Sequence, residues 1–263
     1  MNSIDYWNDL EELRRRKPLI HHLMNFVAMN DAANITLALG ASPIMAHAAE
    51  EVEELVSIAG ALYINIGTLD REWIESMLMA GRAANKNGVP VLLDPVGAGA
   101  SRLRTETARR ILAEVEISIV KGNGGEIMAL AGRSGLTKGV DSLGEAEMDV
   151  VDLVAREFGA TTVATGPVDH VSNLKQRAEV MNGTPMLQLV TGSGCMLGSV
   201  MSSFLATSRD PFKAAIEGLV AFEVAAETAV EGSDGPASFK VRLIDEVYKL
   251  NKDSFARAKV RIL

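Results

Sequence analysis

The residues best suited to chemistry form a glycine-rich loop, Thr191-Gly192-Ser193-Gly194-Cys195. The loop follows an apolar run at residues 186–190, which we interpret as a strand, and precedes small and apolar residues typical of a buried helix. Its glycines allow a sharp turn that directs consecutive backbone N–H groups at one point. Because the helix start adds a positive dipole end, the loop predicts a binding site for an anion such as phosphate. A tight strand-to-helix turn with close packing is the alternative.

Two common phosphate-binding motifs do not account for this loop. No Gly-x-x-x-x-Gly-Lys-Ser/Thr run occurs in the sequence, which excludes a P-loop enzyme. The dinucleotide fingerprint fails because Leu197 occupies its third glycine position. The acidic residue at about the expected distance, Asp210, begins a predicted helix instead of ending a strand. The sequence therefore gives no support to NAD-dependent redox chemistry.

Two carboxylates are candidates for a metal site. Asp94 ends an apolar run, and Glu126 lies in the first turn of a predicted helix after Lys121-Gly122-Asn123-Gly124-Gly125. Magnesium (Mg²⁺) takes few protein carboxylates together with waters and substrate phosphates, so this pair suits it. The alternatives are a helix-dipole role for Glu126 and an Asx-Pro turn at Asp94. The nearby anion loop favours the metal interpretation.

These candidate residues belong to a repeating pattern of short apolar runs and helical stretches. The pattern predicts strands at 19–24, 62–66, 89–93, 117–120, 161–164 and 186–190, and helices at 4–16, 30–39, 48–58, 70–86, 145–158 and from 196 to about 250. Strands that alternate with helices indicate an α/β fold with parallel βαβ units and helices on both faces of the sheet. Residues 168–180 are less regular and indicate a hairpin with an antiparallel pair. No linker or composition shift divides the chain, so we predict one domain over residues 1–263.

Polar and small residues follow the ends of the predicted strands. They are Asn25, Thr68, Asp94, Asn123, Thr165 and Gly192. Ligands of open α/β sheets bind beyond the carboxyl ends of the strands, so parallel strands would gather all six along one edge. Asn, Asp, Thr and Gly are also common in turns, so an ordinary turn is the alternative interpretation for any one of these residues.

Composition excludes several classes of function. The chain has 263 residues and a net charge of −8, and its one basic cluster is Arg14-Arg15-Arg16-Lys17, so nucleic acid is not expected as a partner. The most membrane-like window, residues 186–205, is interrupted by three glycines and several hydroxyl residues, so we expect no membrane span. One cysteine excludes an intramolecular disulfide framework and suits a reducing cytosol, which predicts a cytoplasmic protein.

The motifs together resemble the hydroxyethylthiazole kinase family. They are Asn25, Ser42-Pro43-Ile44-Met45, Ile64-Asn65-Ile66-Gly67-Thr68, Leu93-Asp94-Pro95-Val96-Gly97-Ala98-Gly99, Lys121-Gly122-Asn123-Gly124-Gly125-Glu126-Ile127 and Thr191-Gly192-Ser193-Gly194-Cys195. Their order and spacing match the family over nearly the whole chain. The glycine-rich loop alone is typical of the wider ribokinase-like superfamily. Its combination with Asn25, Met45 and Cys195 indicates the thiazole branch.

The resemblance implies a three-layer ribokinase-like fold and a defined reaction. The reaction is ATP-dependent phosphorylation of the primary alcohol of 4-methyl-5-(2-hydroxyethyl)thiazole in thiamine salvage, with Mg²⁺ as cofactor. The family also implies a homotrimer with active sites between subunits. Many sugar kinases of this fold cover the site with a small β-lid, but no alternating strand pattern occurs between Asn25 and Gly67. We therefore expect no separate lid domain and a neighbouring subunit in its place.

The resemblance also implies roles for individual residues. The implied catalytic positions are Gly192, Gly194 and Cys195; the substrate-binding positions are Met45, Gly192, Asn25, Gly67 and Thr68; the ATP-binding positions are Lys121, Thr165 and Asn123; and the metal positions are Asp94 and Glu126. The family often carries arginine at position 121, where this chain has Lys121. A lysine supplies a positive charge but lacks the planar guanidinium group that can bind a phosphate through two hydrogen bonds.

Cys195 stands where most of the superfamily has an aspartate at the end of the loop. We expect it to orient the substrate hydroxyl without forming a covalent intermediate, because phosphoryl transfer mostly needs positioning and charge stabilisation. Two other functions stay open. An ATP-dependent lyase of the same fold, acting on hydrated nicotinamide nucleotides, would be expected to keep the aspartate. A nucleotide-binding module without turnover would not need Asp94 and Glu126 beside the loop.

Overall fold

The computed structural model describes residues 5–133 and 147–263. Its helices are α1 (Tyr6–Arg16), α2 (Met29–Leu39), α3 (Val52–Ser57), α4 (Arg71–Lys86), α5 (Arg102–Glu114), α6 (Gly124–Leu130), α7 (Met148–Phe158), α8 (Ser193–Ser208), α9 (Pro211–Val230) and α10 (Pro236–Lys249). Its strands are β1 (Leu19–Leu23), β2 (Ser42–Ile44), β3 (Ala61–Asn65), β4 (Val91–Asp94), β5 (Ile119–Asn123), β6 (Thr161–Thr165), β7 (Asp169–Ser172), β8 (Arg177–Val180) and β9 (Val260–Ile262). Two 3-10 helices, Pro185–Leu189 and Lys252–Arg257, complete the described elements.

The strands of the described ranges form one sheet in the order β2-β1-β3-β4-β5-β6-β7-β8-β9. Pairing is parallel from β2 across to β6 and antiparallel from β6 across to β9. The predicted parallel sheet and the predicted hairpin at 168–180 are therefore both confirmed. Because β1, β3, β4, β5 and β6 run the same way, their carboxyl ends lie along one edge.

Helices cover both faces of the sheet, which gives three layers. Along β3, Ala61 and Tyr63 belong to one apolar cluster, and Leu62 and Ile64 belong to the other. This alternation follows the two-residue period of a strand and explains why the whole strand is buried. Helices α1, α2 and α8–α10 supply the first cluster, and α3–α7 supply the second. Of the helices in the described ranges, none combines the length and the apolar character needed to cross a membrane.

The structure corrects three local predictions. The apolar run at 186–190 is not a strand, because it lies in the 3-10 helix Pro185–Leu189, with a proline in its first turn and Thr184 as its cap. Strand β2 was missed, since three residues that include Pro43 are too short to show a period. The helix predicted at 48–58 is confined to Val52–Ser57. The first residues of the helices predicted at 4–16 and 145–158 lie outside the described residues.

Candidate active site

The glycine-rich loop begins α8 and depends on glycine at its first position. Gly192 is the N-cap of α8 and has a φ of 86°, a left-handed conformation that side-chain-bearing residues rarely adopt. A Cβ placed on Gly192 would lie 2.9 Å from the Cβ of Ala28, so the loop also packs closely against the start of α2. The hydroxyl of Ser193 donates to the carbonyl of Leu187 at 2.8 Å, which anchors the loop on the preceding 3-10 helix.

Backbone donors of the loop are left for a ligand. The first turn of α8 closes where the N–H of Met196 donates to the carbonyl of Gly192 at 2.8 Å. Within residues 5–133 and 147–263, the N–H groups of Gly194 and Cys195 donate to no protein acceptor. Unpaired N–H groups at a helix start, together with the helix dipole, favour an anion. The predicted anion site therefore has the donors it needs.

Lys121 is a buried cation that connects the sheet to the loop. Its Nζ lies 3.0 Å from Oδ2 of Asp94, at the end of β4, and donates to the carbonyl of Gly194 at 2.9 Å. Burial by itself lowers the pKa of Lys121, but the negative charges of Asp94 and Glu126 outweigh burial and raise the pKa overall. Lys121 is therefore held protonated beside the loop and is not a freely exposed cation.

Glu126 and Asn123 form a capping box at the start of α6. The Asn123 side chain accepts the N–H of Glu126 at 2.9 Å, and Oε2 of Glu126 accepts the N–H of Asn123 at 2.8 Å. The other carboxylate oxygen, Oε1, accepts the N–H of Gly97 at 2.8 Å. Burial and, second, the charge of Asp94 raise the pKa of Glu126 to about 7. Two buried acids, Asp94 and Glu126, thus lie close to the ammonium group of Lys121.

The two acids fit a divalent cation that takes few protein ligands. Asp94 is buried, and its Oδ1 has no hydrogen-bond partner among residues 5–133 and 147–263, while its Oδ2 accepts from protein donors. In the described part of the chain, no group of three or more His, Cys, Asp or Glu side chains is arranged to hold a metal. Mg²⁺ does not require such a group, because it keeps several waters and binds substrate phosphates. The unpartnered oxygen of Asp94 is the atom best placed to face such an ion.

Cys195 is buried within the first turn of α8. Its Sγ accepts hydrogen bonds from Nδ2 of Asn25 at 3.3 Å and from Nδ2 of Asn65 at 3.2 Å. Burial and, second, the charge of Asp94 raise the pKa of Cys195 to about 11. The side chain is therefore a neutral thiol at pH 7, which favours an orienting role over that of a thiolate base.

The residues predicted to bind substrate lie at the same edge. Asn25 Nδ2 donates to Oδ1 of Asn65 at 2.8 Å, and the same oxygen accepts the N–H of Gly67 at 3.0 Å. A Cβ on Gly67 would lie 2.8 Å from the Cβ of Asn25, so the loops after β1 and β3 approach closely. Thr68 accepts the N–H of Phe26 at 3.1 Å through its hydroxyl, which joins the two loops a second time.

Met45 and Thr165 occupy the two flanks of this edge. Met45 directly follows β2 and is partly buried against the core cluster that contains Cys195. Thr165 ends β6, where it pairs in register with Asn123, and its hydroxyl donates to the carbonyl of Gly122 at 3.4 Å. The structure therefore brings the predicted substrate positions to one side of the loop and the predicted ATP positions to the other.

Sequence reasoning assigned no role to Tyr63 and Asn65. The Tyr63 hydroxyl donates to Oδ2 of Asp94 at 2.9 Å, and its ring occupies the space that a side chain at Gly198 would fill. Asn65 Nδ2 lies 3.1 Å from the same carboxylate oxygen. A signal was present in the sequence: polar side chains at 63 and 65 in an otherwise apolar run indicate buried polar groups, which need partners.

The sheet, its two helical layers and the glycine-rich loop at the start of α8 are those of a ribokinase-like fold. A ribokinase-like superfamily protein from Enterococcus faecalis shares this fold, with a TM-score of 0.66 at 14% identity over 91% of this chain and 89% of that one. The predicted fold class is thereby confirmed. At that identity the likeness concerns the fold alone.

Closer relatives identify the family. The model of the hydroxyethylthiazole kinase family matches residues 10–253, and the chain belongs to that family. It is 61% identical to the hydroxyethylthiazole kinase of Caldivirga maquilingensis over 262 residues, which are 99% of this chain and 98% of the relative. The solved structure of the hydroxyethylthiazole kinase protein from Pyrococcus horikoshii OT3 matches with a TM-score of 0.91 at 44% identity, covering 98% of each chain. The family prediction is confirmed.

Proposed function

We propose that this protein transfers the γ-phosphoryl group of ATP to the primary alcohol of 4-methyl-5-(2-hydroxyethyl)thiazole. Membership of the hydroxyethylthiazole kinase family supports the substrate. The observation that carries the chemistry is the pair of unpaired N–H groups of Gly194 and Cys195 beside a buried Asp94. Two donors at a helix start, next to a carboxylate with an unpartnered oxygen, suit a metal-bound polyphosphate.

The chain's own groups stabilise the charge of the transferring phosphoryl group. The loose transition state of phosphoryl transfer spreads charge over the phosphoryl oxygens, so preorganised donors and cations supply most of the catalysis. The N–H groups of Gly194 and Cys195 are such donors. Lys121 has protein acceptors for two of its three ammonium hydrogens, and the third is available to a phosphate oxygen. Gly192 keeps this turn open to the ligand through its left-handed conformation.

Asp94 and Glu126 would hold Mg²⁺, Asp94 through its unpartnered Oδ1. When bound, the ion supplies charge neutralisation to the polyphosphate. Both carboxylate oxygens of Glu126 already accept backbone N–H groups, so its contribution is mainly negative charge beside Asp94. On the ATP side, Thr165 and Asn123 end adjacent strands and would border the nucleotide.

On the acceptor side, Asn25, Met45, Gly67 and Thr68 would border the thiazole alcohol. Cys195 lies between these substrate-binding residues and the loop donors. Its sulfur accepts a hydrogen bond from Asn25, and its own backbone N–H is one of the two donors of the proposed anion site. A neutral thiol at this point can orient the substrate hydroxyl for attack on the phosphorus. The alcohol proton can pass to an oxygen of the transferred phosphoryl group late in such a loose transition state, so a strong base is not required.

We also propose that the 263 residues form one kinase domain, which acts as a cytoplasmic homotrimer in thiamine salvage, with active sites between subunits. Phe26 and Val27, next to Asn25, are 61% and 64% exposed, and Phe26 packs against Trp73 in a tilted arrangement with ring centroids 4.5 Å apart. Exposed apolar groups beside a site that must exclude water favour cover by a second subunit. Mass photometry tests this assembly, and a fully active monomer would contradict it.

The reaction is tested by incubating the protein with Mg-ATP and the thiazole alcohol and measuring ADP and thiazole phosphate. Parallel reactions contain hydroxymethylpyrimidine, or a hydrated nicotinamide nucleotide to test the lyase alternative. We expect stoichiometric ADP and thiazole phosphate only with the thiazole alcohol. ADP formation with the hydrated nucleotide alone would support the lyase, and ATP binding without turnover on any substrate would support a nucleotide-binding module.

A further inference from the structure

The side-chain amides of Asn25 and Asn65 are buried next to Cys195, and backbone N–H groups fix their orientations. The Oδ1 of Asn25 accepts the N–H of Ala28 at 2.9 Å, and the Oδ1 of Asn65 accepts the N–H of Gly67 at 3.0 Å. A backbone N–H can only donate, so each amide must turn its oxygen toward that N–H and its NH₂ group the other way. Neither side chain can be flipped without losing a buried hydrogen bond.

Both NH₂ groups point at the same sulfur atom. Asn25 Nδ2 and Asn65 Nδ2 lie 3.3 Å and 3.2 Å from Sγ of Cys195, and Asn25 also donates to Oδ1 of Asn65 at 2.8 Å. An NH₂ group has no acceptor capacity, so the sulfur must be the acceptor in both contacts. The S–H proton of Cys195 is therefore not used by either amide and is left for another acceptor.

Asn65 also reaches the acid of the site. Its Nδ2 lies 3.1 Å from Oδ2 of Asp94 and 2.9 Å from the hydroxyl oxygen of Tyr63, which itself donates to Asp94. Two amide hydrogens thus serve three neighbouring acceptors, including the sulfur of Cys195. Asn65 is fully buried, so water does not compete for these bonds. A single side chain therefore connects the thiol to the carboxylate.

We propose that Asn65 is a positioning residue for phosphoryl transfer: with Asn25, it holds Cys195 as a hydrogen-bond acceptor whose S–H is left to donate to the substrate hydroxyl oxygen. The same amide fixes the distance between the thiol and Asp94. The inference rests on the proposed kinase function for the identity of the hydroxyl. Asn65 acts through Cys195 and Asp94, with no contact of its own with the reacting atoms.

The single cysteine makes the thiol directly observable by Raman spectroscopy, because the protein has only one S–H stretching band. In the wild-type protein without ATP or metal, the thiazole alcohol should shift this band to lower frequency as the S–H becomes a donor. Asn65→Asp is nearly isosteric and keeps the oxygen that accepts from Gly67, but it replaces the NH₂ group with an acceptor. Its S–H band should shift to lower frequency without any ligand.

Kinetics provide the second readout. Because misplacing reacting groups by about 1 Å can reduce rates roughly 100-fold, we expect Asn65→Asp to lower kcat about 100-fold. The KM values for the alcohol and for ATP should change less than about threefold, as for an interaction needed in the transition state. Ser172→Ala is the matched control, since Ser172 is fully buried in the same sheet and its hydroxyl donates to Asp152 at 2.6 Å. It should change neither kcat nor the S–H band.

Several outcomes would overturn the proposal. The proposal is wrong if the S–H band of Asn65→Asp does not move. It is also wrong if that variant keeps the wild-type kcat, whether or not its KM rises. If Asn65→Asp does not fold, Asn25→Asp removes the other donor to the same sulfur and must give the same band shift. A wild-type protein that does not phosphorylate the thiazole alcohol contradicts the proposed function instead. The ligand-free bands of the wild type and the variants still test the amide arrangement in that case.

Discussion

Two pairs of buried acids lie at the carboxyl edge of this sheet and under its antiparallel part, and they are built differently. Asp94, of the pair with Glu126, is bound by Lys121, Tyr63 and Asn65. In the other pair, Asp169 and Glu223 lie within hydrogen-bonding reach of each other. Within the described ranges, neither forms an ion pair, and one carboxylate oxygen of each has no hydrogen-bond donor.

The pKa values express this difference. Burial, the largest influence, raises the pKa of Asp169 to about 6, and burial and the charge of Asp169 raise that of Glu223 well above its usual range. The raised pKa values favour a proton held between these two acids. The pair of Asp94 and Glu126 has a lysine within it, and Asp94 retains an unpartnered oxygen for a second cation. Burial raises the pKa values of Asp94 and Glu126 as well, but the charge of Lys121 lowers both in part, whereas no cation forms an ion pair with Asp169 or Glu223 within the described ranges.

The largest expected effect that tests this contrast is on activity. Asp94→Asn removes the charge that holds Lys121 and would hold the metal, so we expect kcat/KM to fall about 10²–10³-fold, as for loss of one preorganised charge-stabilising group. Steady-state ADP release with saturating Mg²⁺ measures it. Asp169→Asn is the matched variant and should leave kcat/KM nearly unchanged. Equal losses in both variants would remove the functional distinction between the pairs.

The second effect is on stability and depends on pH. Because the folded-state pKa of Asp169 is about 6 against a usual 3.8, the folded protein binds a proton that the unfolded chain releases between these values. The free energy of unfolding therefore falls as pH rises through this window, by on the order of 3 kcal/mol from this group. Asp169→Asn should match the wild type near pH 4 and be more stable above pH 6. Urea titrations across this range measure the difference, and parallel pH profiles would contradict the shared-proton interpretation.

A smaller effect on kcat is expected when position 195, next to the pair of Asp94 and Glu126, is changed. Cys195→Asp keeps an acceptor for the two amides and can orient the substrate hydroxyl by accepting its hydrogen instead of donating to its oxygen, so the variant should fold and remain active. Cys195→Ala should lower kcat by less than about 100-fold, the lower limit for loss of a general base. Single-turnover assays with both variants test this. An inactive but folded Cys195→Asp, or a trapped phosphocysteine in the wild type, would disprove the orienting role.

The smallest effect is expected at Glu223. Burial and the charge of Asp169 raise the pKa of Glu223, which favours its protonated form, and an amide of the same shape keeps a donor toward Asp169. Glu223→Gln should therefore change the free energy of unfolding by less than about 1 kcal/mol, within the ordinary range for a mild substitution. Thermal unfolding at pH 7 measures it. A loss of several kcal/mol would show that Glu223 is ionised in the folded protein.

The sequence alone determined the layered fold and much of the site. Apolar runs ending in Asn25, Asp94, Asn123 and Thr165 predicted parallel strands whose carboxyl ends meet, and the structure brings these residues to one edge. The loop from Thr191 to Cys195 predicted an anion site at a helix start. These features are local, because glycine conformation, strand period and helix dipole depend on neighbouring residues along the chain.

Other features were decided only by tertiary structure. The apolar run at 186–190 has the composition of a strand, yet it forms a 3-10 helix, and the strand that pairs with β8 is the distant β9. Lys121 lies 27 positions from Asp94 and 73 positions from Gly194, both of which it contacts, and Asn65 lies 130 positions from Cys195. Such contacts depend on how strands and helices pack, and no local pattern encodes them. The sequence therefore predicted an anion loop, an acid pair, Lys121 and Cys195, while the fold determined that Tyr63 and Asn65 contact them.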